Sequence, residues 1–180
     1  MRERTCCFTG HRDIPADKRD EIAAKLEQTL VELIHAGIRY FGAGGALGFD
    51  TLAAQTVLKL REEYPQIRLI LVLPCRTQTR GWPDEDVRIY EAIKEAADKI
   101  RYTSEEYTRG CMHKRNRHLV DNSSVCVSYM TKNTGGTAYT VDYARQAGKT
   151  IIQINPTDMV VTIVAGEKKI AGDKNNSENA

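Results

Sequence analysis

Two glycine-rich segments, Gly42 to Asp50 (GAGGALGFD) and Asn133 to Thr137 (NTGGT), each stand between a short apolar run and a helical pattern. Glycine removes the side chain that would hold an anion away from the main chain. A helix N-terminus supplies amides with no intrahelical acceptor and a partial positive charge. Junctions of this kind suit a phosphate group. The first offers Gly44, Gly45 and Gly48 as ligand-binding candidates, with Asp50 either capping the helix or accepting hydrogen bonds from ribose hydroxyls. The second offers Gly135, Gly136 and Thr137, and a simple strand-to-helix turn is the competing reading. Neither segment is a GxGxxG fingerprint or a P-loop with Lys-Ser/Thr after its last glycine, so the common NAD and ATPase readings are disfavoured and no cofactor is expected.

Three further segments carry chemistry-capable side chains. In Thr9-Gly10-His11-Arg12, Gly10 permits a sharp turn and Arg12 offers a planar donor fork for phosphate or carboxylate; a plain turn with a solvated arginine competes. In Cys111 to His118 (CMHKRNRH), helical spacing puts Arg115 one turn from Cys111 and Leu119, and Asn116 on a face with Met112 and Val120. Arg115 and Asn116 are candidate ligand contacts, unless the string is only a solvated cationic face. The loop Cys75–Pro83 carries Gln78, Arg80 and the chain's only tryptophan, Trp82. Trp82 can stack on a base or hold a lid, or it anchors the loop to its own helix.

These segments need a scaffold, and the pattern supplies one. Strands are predicted at Thr5–Thr9, Ile38–Gly42, Ile67–Leu73, Val125–Tyr129 and Thr150–Ile154, with Lys99–Tyr102 as an edge-like strand. Helices are predicted from Asp13, Pro15 and Asp17 up to Gly37, over Phe49–Glu63, from Asp84, over Arg109–Asp121 and over Gly136–Ala147. Such alternation implies right-handed crossovers: an α/β fold, a three-layer Rossmann-like parallel sheet with helices on both faces. In such sheets ligands bind beyond the carboxyl ends of the strands, where all five segments fall. Met159–Ala165 would add one more strand.

At 180 residues, 41% of them apolar, the chain suits one domain, residues 1–165, followed by a polar tail over 166–180 that reads as disordered. A net charge of +2 and no interleaving of bases with aromatics along the chain disfavour nucleic acid as a partner. No run is long enough to span a membrane and the start has no signal-peptide layout, so a cytoplasmic protein is expected. Five scattered cysteines without a CxxC pair fit a reducing compartment and a structural role. No metal site is expected from the four histidines. A homodimer is compatible with the sequence, which shows no interface.

The ordered set FTGHR, GAGGALGFD, PCRTQTRGWPDEDVRIYEAI, MHKRN and TGGTAYTVDYA resembles the SLOG superfamily, the group containing the DprA/Smf DNA-processing proteins and the LOG cytokinin-activating enzymes. The resemblance spans about Cys6 to Ile154 and is closest to the YpsA-like branch. It implies a Rossmann-like domain that binds a nucleotide or a nucleotide-derived, ADP-ribose-like small molecule in a regulatory or sensing role. LOG enzymes cleave the base–ribose bond of nucleoside 5′-monophosphates, using MHERK and PGGxGTxxE motifs. By resemblance the arginine of the first matches Arg115, the glycine pair of the second matches Gly135 and Gly136, and its glutamate falls on Asp142. Arg115 and Asp142 would then be the catalytic pair of an N-glycosidase. Thr134, Ala138, Tyr139 and the shorter Asp142 depart from that motif, which favours binding over hydrolysis.

Overall fold

The computed structural model describes residues 1–165; the tail expected over 166–180 lies outside the described residues. Seven strands form one sheet: β1 (Thr5–Gly10), β2 (Tyr40–Ala43), β3 (Arg68–Leu73), β4 (Lys99–Tyr102), β5 (Val125–Tyr129), β6 (Thr150–Ile154) and β7 (Val161–Val164), in the order β4-β3-β2-β1-β5-β6-β7. All pair in parallel except β6 with β7. The helices are α1 (Arg19–His35), α2 (Phe49–Glu63), α3 (Asp84–Ala96), α4 (Cys111–Asp121) and α5 (Gly135–Gln146).

Side-chain alternation along the strands sorts the core into two sides. Phe8, Phe41, Leu69, Leu71, Val127 and Tyr129 pack with α1, α2 and α3, whereas Cys7, Val72, Cys126 and Ile151 pack with Leu119 and Val120 of α4 and Val141 and Ala144 of α5. The result is the expected three-layer fold. Full burial of each such aliphatic or aromatic side chain contributes roughly 1.5–3 kcal/mol relative to exposure. All five cysteines are free and buried within this framework.

Two helix starts and the direction of the last strand differ from expectation, each for a local reason. α1 starts at Arg19 rather than among Asp13, Pro15 and Asp17, because Pro15 is extended (φ −56°, ψ 129°) and disfavours helix in the residue before it. A 3-10 turn, Ala16–Lys18, fills the gap. α4 begins at Cys111, after Gly110 leaves helical geometry with φ +86°. The sheet is not wholly parallel: the connection Asn155–Val160 is too short for a crossover helix, so β7 turns back antiparallel on β6.

Strands β1 to β4 run outward on one side of β1, and β5 and β6 on the other. The order therefore reverses between β1 and β5, which pair from Cys6↔Val125 to Gly10↔Tyr129. Beyond their carboxyl ends the two connecting loops diverge to opposite faces and leave a crevice.

Candidate functional site

The crevice is a cleft of about 400 Å³. β1 and its following loop contribute Phe8, Thr9, Gly10, His11, Arg12 and Asp13; the loop after β5 contributes Thr131 and Lys132; α5 contributes Gly136 and Thr137. Its remaining wall comes from Ala46, Asp50, Met112, Arg115 and Asn116.

His11 ties these parts together. Its amide donates to the Tyr129 carbonyl at 3.2 Å, extending the β1–β5 ladder, and its carbonyl accepts the Phe49 amide at 3.1 Å at the start of α2. The ring Nε2 accepts the Lys132 amide at 3.2 Å. Partial burial, and secondarily the charge of Lys132, hold the His11 pKa below its ordinary 6.5, so the ring is the neutral acceptor that this bond needs.

Behind the wall lies a buried clamp. Asp50 Oδ2 accepts the amides of Gly44 (3.1 Å) and Ala46 (3.4 Å) and lies 4.0 Å from Arg115 Nη1, both side chains being less than a tenth exposed. Arg115 Nη1 donates to the Gly44 carbonyl, which also accepts Gln78 Nε2 at 3.1 Å, and Tyr90 donates its hydroxyl to Gln78 Oε1 at 3.3 Å. Burial raises the Asp50 pKa, opposed by Arg115 and then by the two amides; burial lowers that of Arg115, opposed by Asp50. Arg115 Nε donates to Asn116 Oδ1 (2.6 Å), Asn116 Nδ2 to Thr140 Oγ1 (2.9 Å), and Thr140 to the Gly136 carbonyl (2.8 Å). One chain of polar contacts thus runs from α2 through α4 to the first turn of α5.

This clamp gives the first glycine segment a role the sequence did not suggest. Gly44, Gly45 and Gly48 do not line the cleft. A Cβ on Gly44 would overlap the Arg115 guanidinium, and one on Gly45 would lie 2.6 Å from Leu73 Cδ2. Gly48, at φ +76°, sits against the Arg12 main chain, and Gly10 would meet Phe49 at 2.5 Å. The expected open cradle of amides at Gly44–Gly48 is instead a close-packed joint whose Gly44 and Ala46 amides are already bonded to Asp50. Asp50 does not cap α2, whose N-cap Gly48 has no side-chain cap bond; from the first turn its carboxylate reaches back to the Gly44 and Ala46 amides, and it borders the cleft.

The second segment is open. Thr134 adopts an extended N-cap conformation (φ −136°, ψ 162°) without a side-chain cap, and Gly135, at φ +86°, turns the chain into α5 with nothing within 4 Å of its absent Cβ. Gly136 and Thr137 border the cleft at this helix N-terminus. Arg12 and Lys132, both exposed, form no ion pair with any described residue. The mouth therefore combines two free cations with a helix N-terminus, an arrangement complementary to an anion.

Asp142 is elsewhere. Five residues on from Thr137, it lies about 140° round α5; it is exposed, paired with Arg145 at 2.9 Å, and does not border the cleft. The pairing of Arg115 with Asp142 as catalytic groups is thus not assembled here, and Arg115 is committed to Gly44, Asn116 and Asp50. Trp82 also stands outside the main cleft. Its ring meets that of Tyr90 edge to face (centroids 5.6 Å apart), anchoring the loop to α3, and it borders an adjoining cavity. Sequence reasoning named Thr9 only as part of the turn after the first strand, and missed Lys132 and Thr140. Their signal was positional: Thr9 ends a strand on the α4–α5 side, Lys132 follows β5, and Thr140 lies one turn beyond Gly136.

A family model described as the YspA SLOG family (YpsA) matches residues 7–159. The chain belongs to this family. Curated relatives include the UPF0398 protein BH1768 of Halalkalibacterium halodurans, 30% identical over 140 residues (76% of this chain, 71% of that protein), and the SPbeta prophage-derived protein YoqJ of Bacillus subtilis, 29% identical over 135 residues (68% and 79%). Among solved structures, DNA processing protein A from Helicobacter pylori superposes with a TM-score of 0.60 at 19% identity, covering 83% of this chain and 64% of that one. The Streptococcus pneumoniae DNA processing protein A gives 0.63 at 17% identity, covering 84% and 50%. These two likenesses establish the shared fold.

The Helicobacter structure is described for its single-stranded DNA binding mode, and this overturns the expectation that nucleic acid is disfavoured as a partner of the YpsA-family chain. A small net charge says nothing about segregation in space. Here α4 and α5 bring His113 against Tyr139 (4.3 Å between centroids) and Tyr139 against Tyr143 (6.4 Å), beside exposed Lys114 and Arg117. Aromatics and bases separated along the chain are neighbours in the fold. No helix among the described residues is long and apolar enough to cross a membrane.

Proposed function

We propose that this chain binds a nucleotide or nucleotide-derived small molecule in the β1/β5 cleft, as a regulatory or sensing protein of the cytoplasm. The observation that carries the reading is the convergence of unpaired Arg12 and Lys132 with the open N-terminus of α5 at the reversal of strand order. A phosphate there meets two cations and first-turn amides, while Thr9, Thr137 and Asn116 offer groups of a size and polarity suited to a ribose. Family membership supports the same reading. Binding is favoured over hydrolysis because no carboxylate equivalent to a catalytic acid borders the cleft except Asp13, at its rim, and Asp50, which is engaged in the clamp.

The test is isothermal titration of AMP, ADP-ribose and NAD into the native protein and into Arg12→Ala and Lys132→Ala. Loss of one charge-assisted hydrogen bond costs about 1.5–3 kcal/mol, so each substitution is expected to weaken binding at least about tenfold. Absence of binding by the native protein, or unchanged affinity in the double variant, refutes the reading. A second reading is favoured by the His113–Tyr139–Tyr143 row beside Lys114 and Arg117: the nucleotide unit belongs to a single strand, whose bases stack on this row. A single-stranded oligonucleotide that binds at low salt, and loses affinity in Tyr139→Ala, selects it.

A further inference from the structure

The cleft has a neighbour. A second cavity of about 310 Å³ lies against it, and Arg12 and Met112 border both. The lining of the two differs in kind. The main cleft is walled mainly by hydroxyl, amide, imidazole and charged groups, and its one phenyl ring, Phe8, is only 2% exposed and belongs to the core. The second cavity has two aromatic side chains, Trp82 and Tyr107, with Arg80 at its edge. Trp82 is half-buried and Tyr107 is 67% exposed.

The elements carrying these aromatics are tied together. Trp82 is held in the loop after β3 by the hydrogen bond its backbone N–H donates to the Thr79 carbonyl (3.0 Å) and by its contact with Tyr90. Tyr107 lies between β4 and α4, two residues past Glu105, whose carbonyl and carboxylate both bond Arg76 of the β3 loop (3.3 and 2.7 Å). An exposed tyrosine beside a half-buried tryptophan, with a free arginine between polar and aromatic compartments, matches the requirements of a purine base joined to phosphate.

From this we infer that the second cavity is a base-stacking subsite, and that the ligand spans both compartments as a nucleoside joined through a pyrophosphate to a sugar. The base stacks at Trp82 and Tyr107, the pyrophosphate crosses at Arg12 within reach of Lys132 and Arg80, and the terminal sugar occupies the polar cleft by Thr9 and Thr137. The inference rests on the cleft reading above and adds a separate compartment for the base and the orientation of the ligand. A dinucleotide with two bases fits less well, since the polar cleft offers no exposed phenyl, phenol or indole ring and its imidazole, His11, is tied to the Lys132 amide.

The experiment compares ADP-ribose with ribose 5-phosphate by isothermal titration. In the native protein ADP-ribose is expected to bind at least tenfold more tightly. Trp82→Ala and Tyr107→Ala are each expected to weaken ADP-ribose roughly tenfold, the size of one lost base–aromatic stack, and to leave ribose 5-phosphate unchanged. Trp82→Phe should retain most of the affinity, and Tyr107, being exposed, can be truncated without disturbing the fold. The subsite is overturned if ADP-ribose binds no better than ribose 5-phosphate, or if the Tyr107 variant lowers both equally; ribose 5-phosphate binding that is lost in Lys132→Ala would still uphold the main cleft. Native protein that binds neither probe defeats both proposals.

Discussion

Gly44→Ala tests the buried clamp directly. Gly44 is not in the left-handed region, so alanine meets no backbone strain there; what it meets is Arg115, whose guanidinium occupies the space of the new methyl, and Asp50 Oδ2 at 2.7 Å. Arg115 is 5% exposed and packed among Gly44, Asn116 and Met112, so it cannot swing aside without leaving Asp50. The substitution therefore acts as the removal of one partner from a buried ion pair, which costs about 3–5 kcal/mol. For a chain of this size that is a fall in Tm of roughly 6–20 °C. The assay is urea unfolding at pH 7 of the native protein, Gly44→Ala, Arg115→Ala and the double variant, with the slope checked for constancy. In the Arg115→Ala background the larger obstruction is gone and the remaining neighbour, Asp50 Oδ2 at 2.7 Å, can shift into the vacated space, so Gly44→Ala is expected to cost clearly less than it does in the native protein. A small effect of Gly44→Ala alone, or strict additivity with Arg115→Ala, refutes the argument that Arg115 is what forbids a side chain at this position.

Asp142→Asn should leave ligand affinity unchanged and shift stability by no more than about 0.5 kcal/mol, because the carboxylate is exposed and paired only with Arg145; a loss of binding in titration would return Asp142 to the site. Stability should fall as pH drops below about 6.5. The pKa values of His11 and His118 are both lowered, chiefly by burial and secondarily by Lys132 and Arg101 respectively, so between the ordinary and the lowered values the unfolded chain binds more protons than the folded one. The acid slope of the unfolding free energy should flatten in His11→Asn and again when His118→Asn is added; an unchanged slope in the double variant counts against both assignments. A bound phosphate opposes the depression at His11, so saturating ligand should also flatten it.

The layer order was legible because buried strands and amphipathic helices write their periods plainly. Ile67–Leu73 reads as a run covered on both sides, and Phe49–Glu63 is bounded by Gly48 and Pro65. What the sequence does not carry is which way a strand's neighbours lie. That β5 sits beside β1 rather than β4 follows from packing of the whole sheet, and this choice brings Lys132 next to His11. Trp82 shows the same limit: its edge-to-face contact with Tyr90 bears out the loop anchor, while stacking on a base is a proposal drawn from the cavity it borders. Asp142 shows the opposite failure. Its motif position is matched in sequence, yet helical phase carries it away from Thr137.

The two glycine-rich junctions have similar composition and take opposite roles, and the difference lies in what fills the volume that the missing side chains leave. At Gly44 that volume holds the guanidinium of Arg115, at Gly45 the Leu73 side chain, and at Gly48 the main chain of Arg12. Their polar groups are turned inward to one another, and the segment becomes a joint between α2, α4 and the loop after β1. At Gly135 and Gly136 nothing lies within 4 Å, and the volume is left to solvent or ligand. An anion site needs donors without protein acceptors in open space; at the first junction the Gly44 and Ala46 amides are taken by Asp50 and the segment is packed, whereas the α5 junction borders the cleft. The joint serves that site indirectly: through Arg115, Asn116 and Thr140 it sets the position of α4 against the first turn of α5. Loosening it should therefore weaken ligand binding along with stability, while alanine at Gly136, which faces open space, should spare the fold and act on binding alone.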